Sequence, residues 1–257
     1  MRRWLEQPLT RGLDLDDPRT TVARREVVRR KRFLRRLYGD WYADLRAALP
    51  EGSGGILELG SGAGFLADSV PRLLRSEVFF CPWVEAVLDA HHLPFAEGAL
   101  RAIVMVNVLH HLPSPSTFFT EAARAVRAGG VIAMIEPWNT PWSRFVYRRL
   151  HHEPFDPNAS EWAATAGGPL TGANGALPWI LFTRDLHHFA ARHPEWTVES
   201  VEPHMPIRYL LSGGVGMRSF MPGFTYPFWR ALEDLLKPIS RRAGMFARVV
   251  LRHRPAR

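Results

Sequence analysis

A single cysteine, Cys81, stands in a chain of 257 residues. No intrachain disulfide can form, and a cysteine-based zinc cluster is excluded. That scarcity fits a reducing compartment, and a cytoplasmic protein is the expectation. Long apolar runs are absent too. The stretch from Ala102 to Val106, which resumes after Asn107, falls far short of the roughly 20 residues of a membrane span. No apolar core follows the basic opening Met1-Arg2-Arg3, so no signal peptide is expected. Internal repeats and low-complexity tracts are also lacking. Apolar residues still make up 46% of the chain, too many for a disordered protein and enough for a sizeable core. The length suits one α/β domain with extra segments.

Acidic residues are missing from residues 237–257, which hold 7 basic ones. Residues 1–50 hold 13 Lys/Arg against 7 Asp/Glu, so the formal charge of +8 sits at the two ends. Such ends can meet an anionic membrane surface or nucleic acid, or can be solvated helix faces.

Residues 1–50 read as an N-terminal basic helical extension. Val27, Leu34, Tyr38, Trp41, Leu45 and Ala48 recur at helical spacings between about Thr21 and Leu49. Gly39 is the expected break or bend, and Pro50 the end. Residues 51–257 form the main domain. Strands are expected at 55–59, 77–81, 86–88, 102–106, 131–135, 196–201 and 245–251. Helices are expected at about 65–74, 116–126, 183–192 and 229–236. Strands alternating with helices imply a Rossmann-like α/β fold: a seven-stranded, mostly parallel sheet with helices on both faces and a closing antiparallel pair. Two proline-rich insertions, about 137–182 and 203–228, interrupt the rhythm.

The first strand runs into the loop Glu58-Leu59-Gly60-Ser61-Gly62-Ala63-Gly64. Glycines at this spacing let the backbone turn tightly and approach a ligand. The dinucleotide fingerprint needs a glycine where Phe65 stands, so a pyrophosphate is not the expected ligand.

Ile56 to Phe65, ILELGSGAGF, resembles the first motif of class I S-adenosylmethionine-dependent methyltransferases, of the type 11 group. Asp89-Ala90 with Leu93-Pro94-Phe95, Asn107 to Leu112, and Ala125 to Gly130 resemble later motifs of that family, in its order. The resemblance covers roughly residues 55–136. It implies S-adenosyl-L-methionine as cofactor and a methyl transfer as activity. Gly60, Ser61, Gly62 and Gly64 would pack under the methionine and ribose. Glu58 would organise the loop and help hold the amino group, and Asp89 would accept from the adenine amine with Ala90 beside the ring. Asn107 would sit near the sulfonium. As a residue alone, Asp89 also reads as a turn or helix cap.

One departure stands out. The family usually has an acidic residue at the end of the second strand. The expected place reads Phe80-Cys81-Pro82-Trp83, with Glu85 as the nearest substitute. The alternative function is therefore a non-catalytic binding or scaffold protein on a degenerate methyltransferase fold.

For catalysis, His110, His111 and Glu136 lie at the carboxyl ends of the fourth and fifth strands. They are candidates for acid–base work, or for packing a helix start. His151-His152-Glu153 could offer a base or a metal pair, but adjacent residues seldom point the same way, and no metal ligand set is expected. Nucleic-acid methyltransferase motifs are lacking, so nucleic acid is not the expected partner. A small-molecule or lipid-like acceptor is expected, in a pocket built by the two insertions, with peripheral contact to an anionic membrane through the basic ends.

Overall fold

The computed structural model describes residues 4–150, 153–165 and 167–255. Two helices open the chain, α1 (Pro18–Arg30) and α2 (Arg32–Ala47). Then come β1 (Gly55–Glu58), β2 (Leu73–Glu77), β3 (Ala86–Val87), β4 (Leu100–Val106), α3 (Pro115–Ala125) and β5 (Val126–Pro137). The remainder is α4 (Pro141–Leu150), α5 (Leu177–Trp179), α6 (Leu186–Arg192), β6 (Trp196–His204), α7 (Arg208–Ser212), α8 (Tyr226–Leu235), α9 (Lys237–Ala243) and β7 (Phe246–His253).

The sheet has seven strands in the order β3-β2-β1-β4-β5-β7-β6. The first five are parallel, and β7 inserts antiparallel between β5 and β6. This is the expected architecture. β4 and β5 lie mid-sheet and are covered on both faces, which is why their sequences read as continuous apolar runs. On one face Leu57, Ile103, Met105, Ile132 and Met134 pack with Phe118 and Phe119 of α3. On the other, Ile56, Val104 and Val131 pack with Phe33, Leu37 and Trp41 of α2.

Local signals set α1 and α3. Asp17 and Ser114 are N-caps whose side chains accept backbone N–H groups, and proline opens each helix. The N-terminal break falls at Lys31 and not at Gly39. Lys31 leaves helical geometry because its ammonium reaches a distant loop, donating to Gly214 O at 2.6 Å and Met217 O at 2.9 Å.

The region after the glycine loop also differs from expectation. No α-helix spans 65–74; a single 3₁₀ turn, Leu66–Asp68, stands there. Pro71 and left-handed Arg72 then lead straight into β2, four residues earlier than expected. Val78 and Phe80, expected inside the strand, are exposed. Strand pairing selects Leu73–Glu77 because its polar residues have partners. Ser76 donates to Glu58 O at 2.8 Å, and Arg75 pairs with Glu85.

Trp41 is fully buried, with its ring against Phe246 and Tyr209 and its indole N–H on His204 Nε2 at 3.2 Å. Trp41→Ala is expected to cost about 3–5 kcal/mol of unfolding free energy. Urea denaturation followed by circular dichroism checks this. A loss below about 1 kcal/mol, the size of an ordinary substitution, would show that α2 does not hold this face of the sheet.

Candidate functional site

A cavity of about 520 Å³ opens at the carboxyl ends of β1, β2 and β4. Crevices at that edge of a parallel sheet are the usual ligand position of such folds. Gly60 and Gly62 form part of its floor. Gly60 has φ +65°, and a Cβ there would lie 2.5 Å from Val108 Cγ2, so only glycine fits. Gly64 faces away from the cavity, where a Cβ would meet Trp83 and Arg25.

The loop is held by side chains from elsewhere. Gly62 N–H donates to Glu77 Oε1 at 2.6 Å. Trp83 Nε1 donates to Gly62 O at 3.1 Å, and the Arg25 guanidinium of α1 donates to Ala63 O while lying against the Phe65 and Trp83 rings. Ser61 does not line the cavity; its Oγ accepts from Ser76 N at 3.1 Å and ties the loop to β2.

Glu77 corrects the expectation drawn from Phe80-Cys81-Pro82-Trp83. The second strand does end on a carboxylate, and that carboxylate lines the cavity. Burial raises its pKa, while N–H bonds from Gly62 and Val78 pull it back. Glu85 is not the substitute, being engaged with Arg75. Sequence reasoning misses Glu77 because hydropathy sets the strand register four residues late. Its spacing to Asp89 is the available signal.

Glu58 lies behind the loop, almost completely buried. Burial pushes its pKa up to about 8, against a hydrogen bond from Ser61, and the neighbouring Glu77 adds to the rise. Its Oε2 has no partner. Asn107, at φ +57° after β4, lines the cavity, and its buried Oδ1 is also without a partner. Orphaned buried acceptors are costly unless a donor arrives. Asp89 and Ala90 form another part of the wall. The Asp89 carboxylate also accepts from His91 N at 2.9 Å and contacts both the His91 and His92 rings, so the turn role and the cavity position coexist.

The three catalytic candidates come together, in unequal positions. Glu136 is fully buried and does not line the cavity. Its Oε1 accepts from Val108 N and Leu109 N, both at 2.8 Å, and its Oε2 meets His110 Nδ1 at 2.6 Å. His110 and His111 reach the cavity wall with rings 4.2 Å apart. Burial opposes charge on His110, but Glu136 and Glu153 outweigh it and push the pKa up to about 9. For His111, burial and the charge on His110 push it down to about 4. Glu153 joins them at the wall. Of the His151-His152-Glu153 run, the two histidines lie outside the described residues.

Glu58 makes a pH prediction. With its folded pKa above the unfolded value, the folded chain holds a proton that the unfolded chain releases. Stability from this group is therefore lost as pH rises from about 4.5 towards 8. Glu58→Gln is expected to flatten that decline in thermal midpoints measured between pH 5 and pH 8. Parallel curves for variant and wild type would show that Glu58 does not carry it.

The sequence profile described as "Methyltransferase domain" matches residues 57–134. No curated protein sequence matches the chain significantly. Among solved structures, the chain is similar to geranyl diphosphate C-methyltransferase from Streptomyces coelicolor A3(2), solved with Mg²⁺, geranyl-S-thiolodiphosphate and S-adenosyl-L-homocysteine. That match has 16% identity and a TM-score of 0.51 over 98% of this chain and 87% of that one. A Haloferax volcanii protein, described as a methyltransferase and solved with the Trm112 methyltransferase activator, matches at 12% identity. Its TM-score is 0.54, over 95% of this chain and 99% of that one. Residues 57–134 match the methyltransferase domain profile, and they are set in a sheet with the strand order and closing antiparallel pair of the class I S-adenosylmethionine-dependent methyltransferase fold.

Proposed function

We propose that the protein transfers a methyl group from S-adenosyl-L-methionine to a small-molecule or lipid-like acceptor. The observation that carries this reading is Glu77 at the tip of β2, bonded to the glycine loop and open to the cavity. The donor and acceptor atoms of the cofactor fit the residues present. Glu77 is a carboxylate for the ribose hydroxyls, and the orphaned Asn107 Oδ1 is an acceptor towards an amino group, while Glu58, off the cavity wall, supports the loop from behind. Gly60 and Gly62 allow close approach, and Asp89 and Ala90 line the same cavity, which supports their contact with the adenine. When bound, the cofactor supplies an electrophilic methyl on a sulfonium.

The chain's own contribution is placement. Tyr147, Phe155, Tyr209 and Phe246 give the cavity apolar walls, which favour an acceptor with hydrocarbon surface. His110, His111 and Glu153 form a polar end where the acceptor's heteroatom can be held. Glu136 is a positioning residue, since its hydrogen bonds among the described residues hold His110 and the turn that carries it.

Calorimetric titration with S-adenosylmethionine and S-adenosylhomocysteine tests the reading. Binding is expected, and Glu77→Ala is expected to weaken it by tenfold or more, about 1.5–3 kcal/mol for a lost charged hydrogen bond. An absence of binding at millimolar ligand would return the non-catalytic scaffold to first place, although Glu77 removes the sequence departure that motivates it.

A second feature favours peripheral contact with an anionic membrane. Phe224 in the turn before α8, Phe228 and Leu235 of α8, and Ile239 of α9 are exposed. Arg36 donates to Gly223 O at 2.9 Å, and Arg32 packs against Gly223, so the basic face of α2 adjoins these residues. Apolar rings beside cations suit a lipid interface. Sedimentation with phosphatidylserine vesicles is expected to show binding that falls with salt and falls several-fold in Phe224→Ser/Phe228→Ser. Salt-insensitive or absent sedimentation rejects the contact.

A further inference from the structure

The fold brings His110, His111 and Glu153 together from two segments more than 40 positions apart. His110 and His111 follow β4, and Glu153 follows α4. Three ligating atoms converge, one from each residue, all within 4.8 Å of one another. His110 Nε2 lies 3.5 Å from Glu153 Oε2, and His111 Nε2 lies 4.0 Å from Glu153 Oε1. Around a tetrahedral ion with bonds of about 2.0–2.1 Å, ligand atoms sit about 3.3 Å apart. The two separations from Glu153 exceed that value by about 0.2 and 0.7 Å.

The other nitrogen of each ring is already committed. His110 Nδ1 meets Glu136 Oε2 at 2.6 Å, and His111 Nδ1 meets Gly172 O at 2.9 Å. A carbonyl can only accept, so His111 carries its proton on Nδ1 and presents a lone pair at Nε2. A carboxylate on Nδ1 of one ring and a backbone carbonyl on Nδ1 of the other are the outer partners that orient metal-bound histidines. A salt bridge between His110 and Glu153 would leave this arrangement of His111 unexplained, because its Nε2 stands beyond hydrogen-bond reach of the carboxylate. All three residues line the cavity, so an ion held by them would keep an open position towards it.

We propose that His110, His111 and Glu153 form a binding site for a first-row divalent transition ion such as Zn²⁺, facing the acceptor end of the cavity. Two imidazoles with one carboxylate and an open position is a donor set of this class, in which an oxygen of a bound molecule completes the coordination. The site would fix the orientation of an oxygen-bearing acceptor relative to the cofactor loop. It is independent of the cofactor reading, since the ion can bind with no other ligand present.

The full chain, stripped with EDTA and desalted, is titrated calorimetrically with Zn²⁺ alone. One equivalent is expected to bind with a Kd of about 1 µM or tighter. Glu153→Gln and His111→Gln are each expected to weaken this at least tenfold, with circular dichroism confirming that both remain folded. Should a variant fail to fold, the visible spectrum of the wild-type protein loaded with Co²⁺ decides, since imidazole and carboxylate ligation gives d–d bands stronger than those of the hydrated ion. Sub-stoichiometric binding, affinity unchanged in both folded variants, or the spectrum of hydrated Co²⁺ overturns the site. S-adenosylhomocysteine binding measured in parallel keeps that outcome separate from the fate of the methyltransferase reading.

Discussion

The bond from Gly62 N–H to Glu77 is the contact on which the ligand end of this fold depends. In a Rossmann-like domain the loop after the first strand normally runs into a helix, whose first turn orders the loop's backbone. Here only one 3₁₀ turn comes after it. The loop's polar groups are satisfied instead by side chains brought from three directions: Glu77 on Gly62 N–H, Trp83 on Gly62 O, and Arg25 on Ala63 O. A hydrogen bond to a charged group contributes about 1.5–3 kcal/mol, enough to offset part of the cost of burying Glu77. The N-terminal helices are therefore structural parts of the loop. Arg25 of α1 caps it, and Val27, Val28 and Leu34 pack with Ala63.

A second buried carboxylate does comparable work at the neighbouring strand tip. Glu136 accepts two consecutive backbone N–H groups and orients His110. The turn after β4 is consequently fixed from β5, and Asn107 is held in left-handed geometry beside it. Asparagine tolerates that conformation better than most residues. The two histidines then share one wall under opposite influences, one drawn towards charge by carboxylates and the other kept neutral by burial and by its neighbour.

How legible each feature is in the sequence depends on how local its signal is. The strand at Gly55–Glu58, the glycine spacing, Asp89-Ala90 and Asn107 are legible because strand, turn and loop chemistry lie within a few residues of one another. The sheet order comes from alternating elements and a late antiparallel strand. Hydropathy misplaces β2 because Val78-Phe79-Phe80 is more apolar than Leu73–Glu77, and burial does not track hydropathy here. The polar strand wins because Ser76 and Arg75 find partners on either side, while Phe80 is left in solvent. The break at Lys31 is illegible for the same reason, since its partners lie more than 180 positions away. Glu153 stands out in the sequence only beside His151 and His152, and its approach to His110 and His111 belongs to the tertiary fold.

The two ends of the cavity are therefore specified differently. The strand-tip end carries its motifs on β1, β2 and β4, and these are tied together by Glu77, Trp83, Glu136 and, from α1, Arg25. The opposite wall rests on long-range pairing, in which Lys31 grips the loop at 213–217 and the chain's opening runs alongside it. Gln7 N donates to Gly216 O at 2.9 Å, and Arg218 N donates to Leu5 O at 2.7 Å. Gly213, Gly214 and Gly216 line the cavity on that side and contribute backbone but no side-chain bulk. Substitutions at Lys31 or in the loop at 213–217 reshape that wall without touching the strand tips. A fold built this way can keep the geometry of its strand tips while the wall at 213–217 changes, because separate sets of bonds hold the two.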